Sequence, residues 1–390
     1  MTAHIVHIVH RFDTGGMENG MVNLFNTLPP QRYRHTVVAL TDYSDFRQRI
    51  TAQPVEFHAL HRAPGHGLGW TVRLWHLLRQ LKPDLVHTRN LAALEAQFVA
   101  AAAGVHATVH GEHGRDVFDL HGRNWKYNLL RRAARSFVSN YIAVSRDLEN
   151  WLRQTVRVPP RKLHQIYNGV DSVKFHPRAG ARPAVLPPGF ADADSTVFGS
   201  VGRMVEVKDY PMLARAFIQA LQQSPDRAAQ ARLVIVGDGP ARADCMELLA
   251  QAGMAHLAWL PGERHDIAEL MQAFDVFVLP SKNEGISNTI LEALASGLPV
   301  IATAVGGNIE LVEDGVTGRL VPAGDAENMA QALLGYLGDP EAQARIARQG
   351  SNARRQAEQR YSIPAMAEAY AAVYDRTLGL PVLSGRRTTR

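Results

Sequence analysis

The stretch DVFVLPSKNEGISNTILEALASGLPVIATA, residues 275–304, contains a strand, a helix and a second strand. DVFVLP and PVIATA are short runs of apolar residues bounded by turn residues, as in buried strands. Between them, TILEALAS has a helix-forming composition, with Ser287 or Asn288 as its N-cap and Gly297 and Pro299 at its end. Two buried strands joined by one helix predict a parallel pair.

Similar units recur along the chain. In the first half we predict strands at 4–9, 35–40, 84–88, 106–110 and 141–145, and helices at 17–28, 70–81, 91–103 and 125–137. In the second half we predict strands at 196–202, 231–239, 275–281 and 299–304. Val and Ile runs that alternate with helices are typical of parallel sheets covered on both faces. The predicted fold class is therefore α/β, with two doubly wound, Rossmann-like domains.

A segment rich in Pro, Gly and Ala, HPRAGARPAVLPPGFADADS at 176–195, separates the two series and is predicted to be a linker. We expect domains at 1–180 and 181–363 and a disordered tail at 381–390. Because open α/β sheets bind ligands at the carboxyl ends of their strands, two such domains would form a site in the cleft between them.

The composition is that of a globular protein. Of 390 residues, 46% are hydrophobic and 20% are charged, which excludes disordered, collagen-like and disulfide-rich chains. The net charge is +5, but residues 1–180 carry 23 basic and 13 acidic side chains, against 19 and 24 in residues 181–390. This asymmetry indicates an anionic ligand or surface for the first half. The lone Cys245, and the lack of a signal peptide or of ~18 consecutive uncharged apolar residues, predict a cytoplasmic protein with at most peripheral membrane contact.

The loop and helix start after DVFVLP form the densest group of candidate site residues. A helix N-terminus after a Gly-containing loop presents backbone N–H groups that can hold a phosphate. Glu284 lies in this loop and Glu292 about two turns into the helix, so the two carboxylates would reach different parts of one ligand. The alternative is that Glu284 complements the helix dipole and Glu292 is a solvated helix residue.

Two further strand ends carry residues suited to a diphosphate. Arg203 and Lys208 follow strand 196–202. The guanidinium of Arg offers hydrogen-bond donors in a fixed planar arrangement, and the ammonium of Lys offers a compact positive charge. Gly15 and Gly16 follow strand 4–9 and would let backbone approach a ligand at a helix start. Neither GGME nor GDGPAR is a GxGxxG fingerprint, which argues against a nicotinamide or flavin site. The absence of GxxxxGK[ST] excludes a P-loop enzyme.

The motif HGEHGRD, residues 110–116, supplies His110, Glu112, His113 and Asp116 at another strand end. A histidine here could act in catalysis or contact a sugar. The alternative is metal ligation, but no partner cluster occurs at zinc spacing.

Two other patterns resemble metal sites. His4, His7 and His10 are expected to be packing residues, because their spacing along a strand places His7 on the opposite face from the other two. Asp192 and Asp194 form a DxD sequence, but they lie in the predicted linker. We therefore predict no metal site.

The stretch RNWKYNLLRRAARSF, residues 123–137, holds five basic residues and no acidic one. On a helix, one face would carry Arg131, Arg132 and Arg135, and another would carry Tyr127, Leu130, Ala134, Phe137 and Val138. Such a helix could lie on an anionic membrane. The alternative is a core helix with a solvated basic face. No recognised nucleic-acid motif accompanies the basic half, so we expect no nucleic-acid partner.

Taken together, these residues resemble the GT-B family of retaining glycosyltransferases known as family 4 or group 1, over essentially the full chain. The most specific element is the EX7E motif, Glu284 to Glu292. GRMVEVKD, YNGVD (167–171), GDGP and GGNIELVEDGVTG (306–318) also fit in order and spacing. The subgroup that the chain resembles most is the sugar transferases of exosortase and PEP-CTERM exopolysaccharide systems.

The resemblance implies a GT-B fold whose domains face each other across a cleft, with a last helix, here about 364–380, that packs back onto the first domain. It implies transfer of a sugar from a nucleotide-diphosphate sugar to a hydroxyl of a glycan or lipid-linked acceptor, with retention and without a metal or another cofactor. The donor base, the sugar and the acceptor are left open.

The resemblance also implies roles for individual residues. Arg203 and Lys208 would bind the diphosphate and stabilise the leaving group, Glu284 would contact the donor sugar, and Glu292 would bind the ribose. Further donor contacts would come from Gly15, Gly16, Gly285, Ser287, Asn288 and Thr289. His113 best matches the family's histidine near the reacting sugar, and His110 is the other candidate. The family's GGAE motif reads GGME here, with Met17 in place of Ala.

Two alternatives stay open. One is a nucleotide-sugar epimerase or a phosphorylase of GT-B type, and the other is a non-catalytic module that binds saccharide or membrane.

Overall fold

Two parallel sheets organise the chain, and each belongs to its own structural unit. The computed structural model describes residues 2–63, 65, 67–115, 119, 122–338 and 340–381. The first unit contains the residues up to Gly169 and those from Ile363 onward, and the second unit contains Val170–Ser362. Of the expected tail, residues 382–390 lie outside the described part of the chain, as does Asp116.

In the first unit, the described residues form a seven-stranded sheet of order β3-β2-β1-β4-β5-β6-β7. Its strands are β1 (Ala3–Val9), β2 (Tyr33–Ala39), β3 (Val55–Ala59), β4 (Leu85–Arg89), β5 (Thr108–Glu112), β6 (Asn140–Ala143) and β7 (Leu163–Gln165). The helices are α1 (Gly16–Thr27), α2 (Gly69–Leu81), α3 (Asn90–Leu94), α4 (Ala96–Ala102), α5 (Trp125–Ala134) and α6 (Arg146–Trp151). The helix expected at 91–103 is divided at Glu95 into α3 and α4.

In the second unit, the described residues form a six-stranded sheet of order β10-β9-β8-β11-β12-β13. Its strands are β8 (Thr196–Val201), β9 (Ala231–Val236), β10 (Ala258–Gly262), β11 (Val276–Leu279), β12 (Val300–Thr303) and β13 (Gly318–Val321). The helices are α7 (Tyr210–Gln223), α8 (Ala241–Gln251), α9 (Ile267–Ala273), α10 (Asn288–Ala295), α11 (Asn308–Leu311), α12 (Ala326–Leu334) and α13 (Pro340–Arg360). Every strand pair in both sheets is parallel, so the doubly wound α/β fold is confirmed.

The last helix, α14 (Ile363–Leu378), packs on the sheet of the first unit. Its buried side chains, including Met366 and Tyr370, join a core with Ile5 of β1 and Leu24 of α1. Asp375, fully buried, forms an ion pair with Arg32 at 2.7 Å. The amphipathic helix thus covers one face of a sheet that would otherwise expose apolar residues.

The predicted linker, 176–195, belongs to the second unit, which begins at Val170 and not near residue 180. Arg178 and Arg182 both bind the carboxylate of Asp275 at 3.0 Å, next to β11. Arg182 also donates to the carbonyl of Ser195, at the end of the segment, and Arg354 donates to the carbonyls of Ser172 and Phe175 just before it. These charge-assisted contacts hold the segment against its own unit in spite of its Pro and Gly content.

Of the three histidines at 4, 7 and 10, only the first two pack inside the unit. His4 and His7 are buried, and the His4 Nε2 lies 2.8 Å from Thr36 Oγ1. His10, however, is exposed just beyond the end of the strand, so the expectation that it packs in the core is wrong.

Candidate functional site

In the second unit, the ends of β8 and β11 bring Lys208 and Glu284 together. Lys208 Nζ donates to Glu284 Oε1 at 2.6 Å, and the hydroxyl of Ser281 donates to the same oxygen at 2.6 Å. The side chains of Lys208 and Glu284 are only 19% and 10% exposed, so the pair is weakly screened by water. Two oppositely charged groups are thus preorganised at the carboxyl ends of neighbouring strands, where ligands of α/β sheets bind.

The loop that carries Glu284 is shaped by glycines from the next strand connection. Gly306 has φ +48°, and a Cβ there would clash with the carbonyl oxygen of Glu284. A Cβ on Gly307 would clash with the carbonyl oxygen of Gly285, and the N–H of Gly307 donates to Glu284 O at 3.2 Å. The GGNI segment therefore positions the backbone of Glu284 and Gly285, which only residues without a Cβ allow.

The start of α10 has the expected N-cap. Ser287 Oγ accepts the N–H of Ile290 at 3.3 Å and lies 3.1 Å from the Thr289 hydroxyl, while Asn288 is the first helical residue. The first turn of a helix presents backbone N–H groups and a positive dipole end to an anion. Glu292 is half-buried little more than one turn from the helix start, and not two turns as expected.

Arg203 lies in the connection after β8, and its side chain is exposed. Two glycines of the GDGP motif shape this connection, because a Cβ on Gly237 or Gly239 would clash with the carbonyls of Gly202 or Met204. The N–H of Lys282 donates to Val207 O at 2.8 Å and joins this connection to the loop of Glu284. Arg203, Lys208 and Glu284 thus lie on loops that support one another.

In the first unit, Gly15 is the N-cap residue of α1 and Gly16 is its first residue. Gly15 has φ −170°, an extended conformation that any residue can adopt, so the backbone does not require glycine here. A Cβ at Gly15 would instead clash with the carboxylate of Glu18 in the first turn of α1. The carboxylate of Glu18 therefore lies at this positively polarised helix end, where an anionic ligand would compete with it.

The two candidate histidines of HGEHGRD occupy different environments. His110 lies inside β5, is 1% exposed, and has its Nδ1 2.7 Å from Thr88 Oγ1. β5 extends to Glu112, so His113 is the first residue after the strand, and its backbone N–H donates to Asn90 Oδ1 at 2.8 Å. Burial and the nearby Arg89 guanidinium lower the pKa of His113 to about 3, so its ring is neutral at pH 7.

Glu112 is part of a buried ion pair that the sequence did not suggest. Arg131 Nε donates to Glu112 Oε1 at 2.9 Å, and the two side chains are 3% and 1% exposed. Burial alone would raise the pKa of Glu112, but Arg131 and His110 outweigh it and lower the pKa to about 2. The guanidinium of Arg131 also lies 4.7 Å from the ring centroid of Trp151.

This pair changes the interpretation of the basic helix. α5 ends at Ala134, and Arg131 points into the unit, so the three arginines do not form one solvated face. The exposed side instead carries Trp125, Leu129 and, just beyond the helix, Phe137, which are 68%, 57% and 45% exposed. Exposed basic residues accompany them: Arg123, Lys126 and Arg132.

Sequence reasoning missed Arg89 and Asn90. Both stand at the end of β4, in the sequence HTRN, and Asn90 has φ +58°. The rule that located the other candidates, polar residues at the carboxyl end of a predicted strand, would have found them.

The described residues contain no group of three or more His, Cys, Asp or Glu side chains that could hold a metal ion. None of the described helices is both long enough and apolar enough to cross a membrane.

Comparison with known proteins first gives the fold class. A solved structure of Anabaena Alr3699/HepE in complex with UDP and glucose superposes with a TM-score of 0.76, at 22% identity and over 95% of this chain and 98% of that one. Sucrose-phosphate synthase from Thermosynechococcus elongatus gives a TM-score of 0.78 at 21% identity, over 97% of this chain and 99% of that one. The two-domain, Rossmann-like architecture is that of the GT-B fold.

Sequence comparisons give the family. Residues 14–174 match the model of Glycosyltransferase Family 4, and residues 195–339 match that of Glycosyl transferases group 1. The UDP-Gal:alpha-D-GlcNAc-diphosphoundecaprenol alpha-1,3-galactosyltransferase of Escherichia coli is 28% identical over 83% of this chain and 85% of its own length. The lipopolysaccharide core biosynthesis mannosyltransferase LpcC of Rhizobium leguminosarum bv. viciae is 32% identical over 55% of this chain and 60% of its own length. The chain belongs to the GT-B glycosyltransferases.

Proposed function

We propose that this protein is a retaining, metal-independent hexosyltransferase that moves a sugar from a nucleoside diphosphate to a hydroxyl of a glycan or lipid-linked acceptor. The contact of Lys208 and Ser281 with Glu284 Oε1 carries the proposal, because it fixes a cation and a carboxylate at the carboxyl edge of the second sheet. The names of relatives support the substrate class: one uses UDP-Gal and a diphosphoundecaprenol-linked sugar, and a structural neighbour binds UDP and glucose.

The chemical task of this site is to stabilise the charge that develops on the diphosphate as its bond to the anomeric carbon breaks. The ammonium of Lys208 has three N–H donors, and one is used by Glu284, which leaves two for diphosphate oxygens. The exposed guanidinium of Arg203 would add a fork of donors, and the start of α10 would add backbone N–H groups. Donors fixed before the reaction stabilise this charge without reorganisation, and they supply the positive charge that a metal would otherwise provide.

The remaining candidates would bind the sugar and the nucleoside. Glu284 Oε1 is occupied by Lys208 and Ser281, so Oε2 is the oxygen that would accept a hydroxyl of the donor sugar. Glu292 would bind the ribose. In the first unit, His113 would contact the reacting sugar as a neutral imidazole, because its lowered pKa keeps it uncharged.

The test of this proposal is a screen for release of nucleoside diphosphate from UDP-, GDP- and ADP-sugars, with and without lipid-linked acceptors. With the active donor, Lys208→Ala is expected to lower kcat by on the order of 10²–10³-fold. Lys282→Ala is the control, because this exposed lysine lies in the neighbouring loop of Glu284 and forms only a 3.5 Å ion pair with Glu206. Equal turnover in Lys208→Ala and the wild type would contradict the assignment.

The same assay separates the alternatives. An epimerase would convert the donor sugar without an acceptor, and a phosphorylase would consume phosphate. A non-catalytic module would release no diphosphate from any donor. Activity that persists in excess EDTA would support metal independence, and the α-configuration of a product from an α-linked donor would support retention.

We also propose that α5 contacts an anionic membrane, which would place the protein peripherally on the inner face of the plasma membrane. The exposed Trp125, Leu129 and Phe137 supply apolar anchors, and Lys126 supplies attraction to anionic headgroups. A membrane-bound site would suit synthesis of exopolysaccharide, including that of the exosortase-associated type, or of another cell-surface glycan.

Sedimentation with vesicles of phosphatidylglycerol and phosphatidylcholine tests this contact. Binding is expected to weaken at high salt and to fall in the double variant Trp125→Ser/Leu129→Ser. Val173→Ser is the matched control, since Val173 is an apolar residue of the second unit that is 86% exposed. Binding that is unchanged in the double variant would exclude α5 as the contact.

A further inference from the structure

A narrow pocket in the first unit is lined by apolar residues and by Arg89, His113 and Tyr370. The apolar wall comes from Met21 and Leu24 of α1. Its interior has room for about one oxygen-sized group. The pocket therefore combines a buried cation with very little space for water.

The guanidinium of Arg89 is buried without a carboxylate partner in the described part of the chain. Arg89 is 1% exposed, its Nη1 donates to His7 Nδ1 at 3.0 Å, and its Nε is buried without any partner. The groups around it are neutral: burial and Arg89 itself lower the pKa values of His7 and His87 well below their usual range. A buried charge is normally paired, because desolvation is costly, so Arg89 lacks the anion that such a site calls for.

His113 supplies a second set of unused donors and acceptors beside Arg89. Both ring nitrogens of His113 are buried and have no hydrogen-bond partner. A Cβ on Gly111 would lie 3.0 Å from His113 Nε2 and 3.2 Å from His87 Nε2, so this glycine leaves room for both rings. A neutral imidazole carries one N–H, so His113 can donate to an anion in the pocket that it lines together with Arg89.

We propose that this pocket binds one oxygen of an oxyanion, phosphate or carboxylate, between Arg89 Nε and the ring of His113. We further propose, on the basis of the proposed function, that the oxyanion belongs to the acceptor. A planar guanidinium and an imidazole N–H suit an oxyanion. It can accept a hydrogen bond from each of them, and its negative charge compensates the positive charge of Arg89. Because the site accommodates a single oxygen, the rest of the ligand lies outside the pocket and Arg89 selects for charge rather than for size.

Binding of inorganic phosphate tests the site itself, independently of catalysis. At constant ionic strength balanced with chloride, phosphate at ten times its Kd is expected to raise the folding equilibrium constant of the wild type about eleven-fold, seen as a saturable rise in Tm. Arg89→Gln is expected to abolish this rise while remaining folded, because the substitution removes an uncompensated buried charge. Arg79→Gln is the control: this arginine of the same unit is exposed on α2, and its variant is expected to respond to phosphate as the wild type does.

Three results would overturn the site: no saturable response in the wild type, an equal response in Arg89→Gln, or a response lost in Arg79→Gln as well. If Arg89→Gln does not fold, His113→Gln replaces it. This variant removes the second donor but no charge, and it is expected to weaken the apparent Kd for phosphate at least several-fold.

Acceptor kinetics test the second part of the proposal. With acceptor pairs that differ only in a phosphate or carboxylate, Arg89→Gln is expected to raise KM for the anionic member at least ten-fold and to leave KM for the neutral member and for the donor unchanged. Equal effects on both members would overturn the assignment of the oxyanion to the acceptor. If the wild type transfers no sugar at all, the proposed function fails, while the phosphate response still decides whether the site exists.

Discussion

Buried histidines with lowered pKa values make the first unit sensitive to acid, and His35 allows the effect to be calculated. His35 is 1% exposed; its Nδ1 lies 3.0 Å from His7 Nε2, and its Nε2 is buried without a partner. Burial, with a contribution from Arg89, lowers the pKa of His35 to about 3. The folded state therefore holds a neutral imidazole, whereas the unfolded chain binds a proton below pH 6.5.

The magnitude follows from linkage. A group with a lowered folded pKa stabilises the fold fully above its unfolded pKa, and this contribution is lost as pH falls from 6.5 toward 3. Between pH 7 and pH 5, His35 alone lowers the free energy of unfolding by about 2 kcal/mol. The pKa values of His7 and His87 are lowered in the same direction, so the whole protein is expected to lose more than this.

Urea unfolding at pH 7, 6 and 5 measures the effect in the wild type and in His35→Asn. Asn retains a polar group near the Nδ1 position but does not titrate, so the loss between pH 7 and pH 5 is expected to shrink by about 2 kcal/mol. His76→Asn is the control, because His76 is exposed on α2, and it should follow the wild type. An equally steep loss in His35→Asn and the wild type would refute the argument from burial.

Other substitutions test how the two units hold their site residues. Gly306→Ala is expected to displace the backbone of Glu284 and lower kcat by on the order of 10²-fold, while Gly324→Ala, also at positive φ but in open space, leaves kcat unchanged. Ser281→Ala removes one hydrogen bond to Glu284 and is expected to lower kcat about tenfold. Glu112→Gln leaves a buried arginine without its charge partner and is expected to lower the free energy of unfolding by about 3–5 kcal/mol, measured by urea unfolding. A kcat loss in Gly324→Ala, wild-type turnover in Ser281→Ala, or wild-type stability in Glu112→Gln would contradict these expectations.

The sequence predicts the central strands of both sheets and misses the outer ones. The four strands that were not predicted, β3, β7, β10 and β13, are the edge strands of the two sheets. A central strand is buried on both faces and lies between two other strands, so its sequence is a continuous run of apolar residues. The edge strands are partly exposed and lack such a run. For example, β7 is LHQ, and β10, AWLPG, contains Pro261, which suits an edge because proline cannot donate to a neighbour. Local sequence patterns therefore do not identify such strands.

The same limit applies to side chains whose partners are distant in sequence. A helical wheel correctly places Ala134 inside, but it cannot show that Arg131 faces Glu112 on β5, 19 residues away. The roles of Gly306 and Gly307 are hidden for the same reason, because they depend on contacts with the backbone of Glu284 and Gly285. Sequence identifies residues that bear the chemistry, whereas the residues that position them are found only from the fold.

The excess positive charge of the first 180 residues illustrates why placement matters more than net charge. Arg131 contributes to that excess, but Glu112 neutralises it inside the unit, so it has little influence on a distant anion. Lys126 is exposed and acts through solvent, where salt screens it within about 10 Å at 0.1 M. Arg89 is buried without a carboxylate among the described residues and is poorly screened. Charge reversal at Lys126 should therefore change the salt dependence of membrane binding, whereas loss of Arg89 should change ligand selectivity at every salt concentration.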